Sequence, residues 1–374
     1  MMKINKAVSP TIFMDISPLQ ELSYTGIPKV ALELVKHGLK RNDVEFFWDD
    51  YIIPKHIINR LISAESGLTL HALANEKIYL KPLLSRLNEV EMSVGLFPNV
   101  MTRFFFDKHA QIIHDLVFIT SPEYHHADTI RHHGTTIIRD AELSDALICV
   151  SNSTAYDVKT YLQPDPKNIY VVELGASLPK KSKLTAPAEE GVDRFVLVMG
   201  TIEPRKNIEL ALKYISLNLG QLNSYSFVFC GKDGWLISFD ELIAKYELHE
   251  YVKSGKIIRL PYVSEKLKWD LLNKASLLLF PSLYEGFGLP VLEGLSCGTP
   301  VLASCSSSIM EAGREFAWYF DPCDYSIFED KLTSVLDMGC TTADDWNENL
   351  KKYLDSKSWD AYGAQVFSIC SKLQ

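Results

Sequence analysis

Ten short apolar runs punctuate this chain, and the stretches between them have helical character. Thr11–Ile16, Val94–Phe97, Gln111–His114, Ala146–Val150 and Ile169–Val172 occupy the first half; Phe195–Met199, Ser226–Cys230, Lys256–Leu260, Leu277–Phe280 and Pro300–Ala303 occupy the second. Each is four to six residues long, the length of a buried strand. Amphipathic segments separate them, among them Ile27–Lys40, Asp128–Leu143, Ser153–Leu162, Asn207–Leu219 and Leu267–Lys274. Strands alternating with helices imply parallel sheets covered by helices on both faces, an α/β class. A chain of 374 residues exceeds what one core supports, so two domains are expected. Leu178–Asp193, with two prolines and three lysines, is the best linker. It sets boundaries of 1–180 and 192–357 for two Rossmann-like domains, with parallel sheets facing across a cleft where the strands' carboxyl ends meet a ligand.

Composition narrows the partners. The formal net charge of −9 argues against nucleic acid as a partner, which needs a basic surface. Seven scattered cysteines, with no C-x-x-C pair, fit a reducing compartment and neither a disulfide frame nor a zinc site. The first ten residues lack the apolar core of a signal peptide, and no run reaches the roughly eighteen apolar residues of a membrane span. A cytoplasmic protein is expected.

Two segments concentrate polar chemistry. In Pro281–Glu293, Pro-Ser-Leu-Tyr-Glu-Gly-Phe-Gly-Leu-Pro-Val-Leu-Glu, the carboxylates Glu285 and Glu293 flank a glycine turn. The preceding run, Ala275–Phe280, reads as a strand, and Val291–Leu295 reads as a starting helix. Such a turn leaves backbone N–H groups pointing at whatever docks there. One acid then faces the near end of a ligand and the other a part several ångströms away, which suits a long molecule with hydroxyls at both ends and anionic charge between, such as a sugar nucleotide. A plain βα turn with two solvated acids is the alternative. The second segment, Gly200-Thr-Ile-Glu-Pro-Arg-Lys-Asn207, places Arg205 and Lys206 at a helix N-terminus, an arrangement suited to a diphosphate or to a solvated basic loop. Thr25-Gly-Ile-Pro28 is a weaker candidate at another strand–helix junction, where Gly26 admits phosphate or simply turns the chain.

His114-Asp115 closes an apolar strand and so belongs at a carboxyl edge. The histidine can bond a sugar hydroxyl while the acid fixes its tautomer or meets an acceptor, or the histidine serves structure alone. Ser151–Thr154 reads as a helix N-cap region. His125, His126, His132 and His133 do not make a metal site, because adjacent histidines on a helix face different ways and no acid or cysteine spacing supports them. Lys55–Arg86, with the run Lys77-Ile-Tyr-Leu-Lys-Pro-Leu-Leu-Ser-Arg86, is either a peripheral contact for an anionic membrane or a solvated helix face.

Taken together, these residues resemble the retaining glycosyltransferases of the GT-B fold, family four. Gly200–Asn207 resembles the family's G-T-x-x-P-R-K-N segment, Glu285–Glu293 its E-G-F-G-L-P-x-x-E signature, and Cys297–Val301 the G-x-P-V strand that follows. Thr25–Ile27 and His114-Asp115 resemble the first domain's motifs, and Ser358-Trp359 the start of a terminal helix, 358–374, that rejoins the first domain. The resemblance implies a sugar-nucleotide donor, a glycan or lipid-linked acceptor and no metal or other cofactor. It implies that Glu293 holds the ribose, that Glu285 lies beside the donor sugar, and that Arg205 and Lys206 neutralise the diphosphate. Gly286, Phe287, Gly288 and Leu289 would present the glycine turn's amides, Gly26 would touch the diphosphate, and His114 with Asp115 would meet the sugar near its anomeric carbon. Ile258, Arg259 and Leu260 would border the nucleobase. The T-I-E-P-R-K-N form is most similar to mannosyltransferases, which favours GDP-mannose over a UDP-sugar.

Overall fold

The computed structural model describes residues 9–21, 26–64, 70, 80–177, 194–218, 225–338 and 344–373. The linker segment 178–193, Thr25 and Lys77 lie outside the described residues. The chain divides into two compact units, one made of 1–116, 131–175 and 358–374, the other of 117–130 and 176–357.

The first unit holds an eight-stranded sheet built from β1 (Thr11–Asp15), β2 (Val44–Trp48), β3 (Tyr51–Ile53), β4 (Lys81–Pro82), β5 (Ser93–Phe97), β6 (Lys108–Ile113), β7 (Ala146–Cys149) and β8 (Ile169–Val171). The order is β4-β3-β2-β1-β5-β6-β7-β8. Seven strands run in one direction, but β3 is reversed and pairs antiparallel with both β2 and β4, a departure from the purely parallel sheet that the alternation predicts. The cause is local. Val-Glu-Phe-Phe-Trp and Tyr-Ile-Ile are separated only by Asp49-Asp50, and Asp49 takes a left-handed φ of 57°. Two residues suffice for a hairpin but not for a crossover helix. The helix Trp359–Cys370 packs on Ile27–Gly38, with Phe367 stacked 5.6 Å from the His37 ring, and so belongs to this unit. Ser358 caps it by accepting from the Ala361 amide at 3.1 Å.

The second unit's sheet comprises β9 (Phe195–Met199), β10 (Ser226–Cys230), β11 (Ile257–Leu260), β12 (Leu277–Phe280), β13 (Val301–Ser304) and β14 (Trp318–Phe320), all parallel. Its order, β11-β10-β9-β12-β13-β14, is the doubly wound pattern, and the winding reverses between β9 and β12. Every residue of β12, Leu-Leu-Leu-Phe, and of β13, Val-Leu-Ala-Ser, is buried, as expected of central strands covered on both faces. Each large apolar side chain so placed contributes roughly 1.5–3 kcal/mol.

Residues 117–130, which the sequence boundary at 180 assigns to the first domain, cluster instead with the second unit. Trp235 explains this: its Nε1–H donates to the Tyr124 carbonyl at 2.5 Å, and its ring stacks on His125 at 5.5 Å. Both contacts come from the loop after β10, and no strand pattern reveals them.

The carboxyl ends of β9 and β10 approach so closely that only glycine fits. Gly231 has φ 144°, and a Cβ there would lie 2.0 Å from the Gly200 carbonyl oxygen. Gly255 also has positive φ, 75°, but open space around it. We expect Gly231→Ala to cost more than about 3 kcal/mol and Gly255→Ala only about 1 kcal/mol. Equal shifts of the two variants in denaturant melts would show that the backbone crossing is not as tight as described.

Candidate active site

The topological reversal of the second sheet decides where its polar residues gather. The loop after β9 carries Glu203, Arg205 and Lys206, and the loop after β12 carries Glu285, so these two loops flank the point where open α/β sheets bind ligands. They are stitched together by the Leu283 amide, which donates to the Arg205 carbonyl at 2.8 Å.

Glu285 is buried at the centre of this stitch. Its Oε1 accepts from Lys206 Nζ at 2.6 Å and its Oε2 from Arg205 Nη1 at 2.9 Å. Arg205 also donates to the Tyr284 carbonyl at 2.8 Å and, through Nη2, to the fully buried Glu203 at 2.7 Å. Burial alone would push the Glu285 carboxyl up, but the Lys206 and Arg205 charges outweigh it and hold the group at about 2. The alternative of a solvated acid is excluded for Glu285. The main chain of Glu285 is fixed as well. Ser307 Oγ accepts from its amide at 2.8 Å and donates to its carbonyl at 2.9 Å, while Ser308 Oγ donates to the same carbonyl at 2.7 Å.

Two expectations change here. Arg205 and Lys206 do not occupy the first turn of the α-helix. They form a 3₁₀ turn, Pro204–Lys206, and Asn207 in the left-handed region separates it from the helix Ile208–Leu217. Nor are they free cations: two acids, Glu203 and Glu285, balance two bases, so the cluster is formally neutral. Glu203 was not singled out from sequence, although it stands two residues before Arg205. The serines at 307 and 308 also escaped notice, though the run Ser306–Ser308 was visible.

The glycine turn forms as its sequence implies. Gly288 takes φ 114°, precedes the helix Leu289–Ser296 and faces Ala312 Cβ, which a side chain at 288 would meet at 3.3 Å. Pro290 follows in the first turn, where it has no donor to waste. Gly286, Phe287 and Gly288 are buried. Among the described residues the Phe287 and Gly288 amides donate to no protein acceptor, and buried amides ordinarily find one. One turn further, Glu293 is partly buried and accepts from Lys268 Nζ at 2.7 Å.

Ile258, Arg259 and Leu260 sit on β11, the edge strand, with Ile258 exposed. Arg259 lies over the Phe239 ring at 5.0 Å and donates to Asp233 at 3.1 Å, a partner that the sequence did not indicate.

In the first unit, Gly26 is the exposed N-cap of Ile27–Gly38, with φ 59°, in the connection after β1. His114 and Asp115 follow β6 directly. His114 Nε2 lies 2.8 Å from the Pro98 carbonyl. A carbonyl only accepts, so Nε2 carries the proton; the tautomer is fixed by this carbonyl rather than by Asp115. Burial pushes the imidazole's pKa down, which favours the neutral ring. Ser151 is a helix cap, accepting from the Thr154 amide at 2.9 Å. The basic stretch 55–86 is partly spoken for: Arg86 pairs with Glu45 at 2.6 Å, Lys81 with Glu89 at 2.6 Å, and Lys55 donates to the Arg41 carbonyl at 2.7 Å. Among the described residues no group of three or more acids, histidines or cysteines is placed to hold a metal ion, and no helix is long and apolar enough to cross a membrane.

The second unit's doubly wound sheet thus carries a basic and acidic cluster at its reversal, beside a glycine turn with unpaired amides. Residues 181–353 match the family described as glycosyl transferases group 1. The chain is 28% identical over 344 residues to the serotype-specific mannosyltransferase WbdA of Escherichia coli, covering 83% of this chain and 39% of that protein. It is 27% identical over 235 residues to the O-antigen chain mannosyltransferase B of Escherichia coli, covering 61% of each. The chain therefore spans less than two thirds of the length of both relatives. Among solved structures, WaaG, a glycosyltransferase involved in lipopolysaccharide biosynthesis, superposes with a TM-score of 0.64 at 15% identity, over 97% of this chain and 100% of that one. The fold is GT-B.

The sign of the Glu285 shift gives a test. A carboxyl held below its ordinary value of 4.5 contributes stability above that value and loses it as pH falls through about 2. Between pH 4.5 and 2 the wild type should lose about 3 kcal/mol more than Glu285→Gln. Parallel stability–pH curves in urea melts would remove the ion-pair assignment.

Proposed function

We propose that the protein is a retaining, metal-independent glycosyltransferase that moves mannose from GDP-mannose to a glycan or lipid-linked acceptor in the synthesis of a surface polysaccharide. The observation that carries this reading is Glu285, bonded to both Lys206 and Arg205 at the sheet's reversal, beside the unpaired amides of Phe287 and Gly288. Mannose is favoured by the names of the two relatives, both mannosyltransferases.

In this reading the diphosphate lies against Lys206 and the glycine-turn amides. An ammonium has three donors and Lys206 gives one to Glu285, so it retains donors for phosphate oxygens. Arg205 is more fully engaged, with Tyr284, Glu285 and Glu203, and it holds Glu285 while lending charge. As the bond between the sugar's C1 and the phosphate oxygen stretches, negative charge grows on the leaving diphosphate and the sugar gains oxocarbenium character. Preorganised cations and amides stabilise that charge, each by a few kcal/mol. Retention follows if the acceptor hydroxyl attacks the face the diphosphate leaves and gives its proton to a departing phosphate oxygen. Glu285, saturated by two cations, is a poor covalent nucleophile. His114, a neutral ring with Nε2–H committed to Pro98, is suited to a hydrogen bond with a sugar hydroxyl. Glu293 takes the ribose. The remaining donors of Lys206 and the glycine-turn amides meet the phosphate oxygens, the place a divalent ion takes elsewhere.

Three outcomes test the proposal. Thermal-shift titration should show GDP and GDP-mannose stabilising the protein more than UDP or UDP-sugars; a reversed ranking would reassign the donor. Mannosyl transfer to a lipid-linked or oligosaccharide acceptor should persist in EDTA, and loss restored by magnesium or manganese would overturn metal independence. Arg205→Ala and Lys206→Ala should each lower turnover by about 10²–10³-fold. Because each leaves a buried carboxylate short of a partner, each should also destabilise the fold by about 1–3 kcal/mol. Pairing Lys206→Met with Glu285→Gln should restore the stability and leave turnover low. Normal turnover in either single variant at saturating donor would place the phosphate elsewhere.

A further inference from the structure

Lys268 is absent from the motifs that define the site, yet its ammonium touches Glu293. It projects from the helix Glu265–Lys274, a separate element from the helix Leu289–Ser296 that carries Glu293. Its Nζ lies 2.7 Å from Glu293 Oε1 and 3.0 Å from Glu265 Oε1, with its side chain only 14% exposed. The Trp269 ring lies 4.8 Å from the same ammonium. Burial works to push the amine's pKa down, but the two carboxylates outweigh it and raise it, so the ammonium stays charged at neutral pH.

A carboxylate on a helix surface swings about its terminal torsions unless something pins it. A ribose offers two adjacent hydroxyls, and bonding both requires the carboxylate plane to be set in advance. The ammonium that fixes one oxygen of Glu293 meets this need. Glu265 also holds the ammonium, so the order of support runs from Glu265 to Lys268 to Glu293.

We infer that Lys268 is a positioning residue for ribose recognition: by holding one oxygen of Glu293 it sets that carboxylate to engage both ribose hydroxyls of the donor nucleotide. This rests on the reading of Glu293 as the ribose ligand. It goes beyond that reading by assigning the sugar selectivity of the nucleotide site to a pair on two helices. Lys268 is assigned no contact with the reacting atoms or the phosphates.

The test uses the full chain and calorimetric titration with GDP and UDP, carrying forward whichever binds more tightly together with its 2′-deoxy counterpart. The readout is the ratio of the two dissociation constants within each variant, which a general loss of stability does not change. The wild type should prefer the ribonucleotide by about tenfold, the scale of one charge-assisted hydrogen bond. Lys268→Met should reduce the preference to less than about threefold, chiefly by weakening the ribonucleotide, and Lys268→Arg should restore most of it. If Glu293→Ala abolishes the preference while Lys268→Met keeps it, the positioning role is overturned and the ribose assignment stands. If the wild type shows no preference, or Glu293→Ala retains it, the assignment of Glu293 fails and the inference fails with it.

Discussion

Glu285 is an acid that cannot be buried alone. Bringing an unpaired carboxylate into a protein interior costs several kcal/mol, so the loop after β12 closes only because the loop after β9 delivers Lys206 and Arg205 to it. Arg205 in turn must be balanced by Glu203. Four side chains from two loops thus depend on one another, and the Ser307 and Ser308 hydroxyls hold the main chain on which the central acid rides. Apolar residues of similar volume would pack at least as stably in many folds. An ionic arrangement at the reversal of a doubly wound sheet is therefore weakly explained by what it adds to the fold, which is why the proposed function gives it an anionic ligand. The cluster is formally neutral, and an anion docking there would have to share cations that already have partners.

The second acid of the glycine segment follows the same rule with different materials. Glu293 is met by Lys268 from a neighbouring helix, as Glu285 is met by Lys206 from a neighbouring loop. Each acid's orientation is therefore determined by packing between separate elements, and the stretch Glu285–Glu293 carries polar groups that only the tertiary structure aims.

Much of this was legible in the sequence because parallel strands buried on both faces read as unbroken apolar runs. Leu277–Phe280 and Phe195–Met199 needed no further evidence, and the residues between Gly286 and Glu293 announce a turn and a helix start. The antiparallel edge was missed because Val44–Trp48 and Tyr51–Ile53 are brief and their connection is a two-residue hairpin. Trp318–Phe320 was missed as a three-residue edge strand. At the site, residue types were readable and pairings were not. Nothing local tells that Arg205 reaches Glu203 as well as Glu285, or that Lys268, 25 residues before Glu293, is its counter-ion. Long-range ion pairs leave no periodicity, and a lysine in an amphipathic helix looks solvated until the fold covers it.

The path of the chain bears on how the protein can be divided. Its course passes from one unit to the other four times, after residues 116, 130, 175 and 357. A cut near residue 180 separates Trp235 from the Tyr124 carbonyl that it bonds, and parts Phe367 from the His37 ring on which it stacks. The halves are thus not independent pieces. Exchanging the second unit between relatives requires that 117–130 travel with it and that 358–374 stay behind, so the natural module boundaries are four, and only the one after 175 lies near the apparent linker.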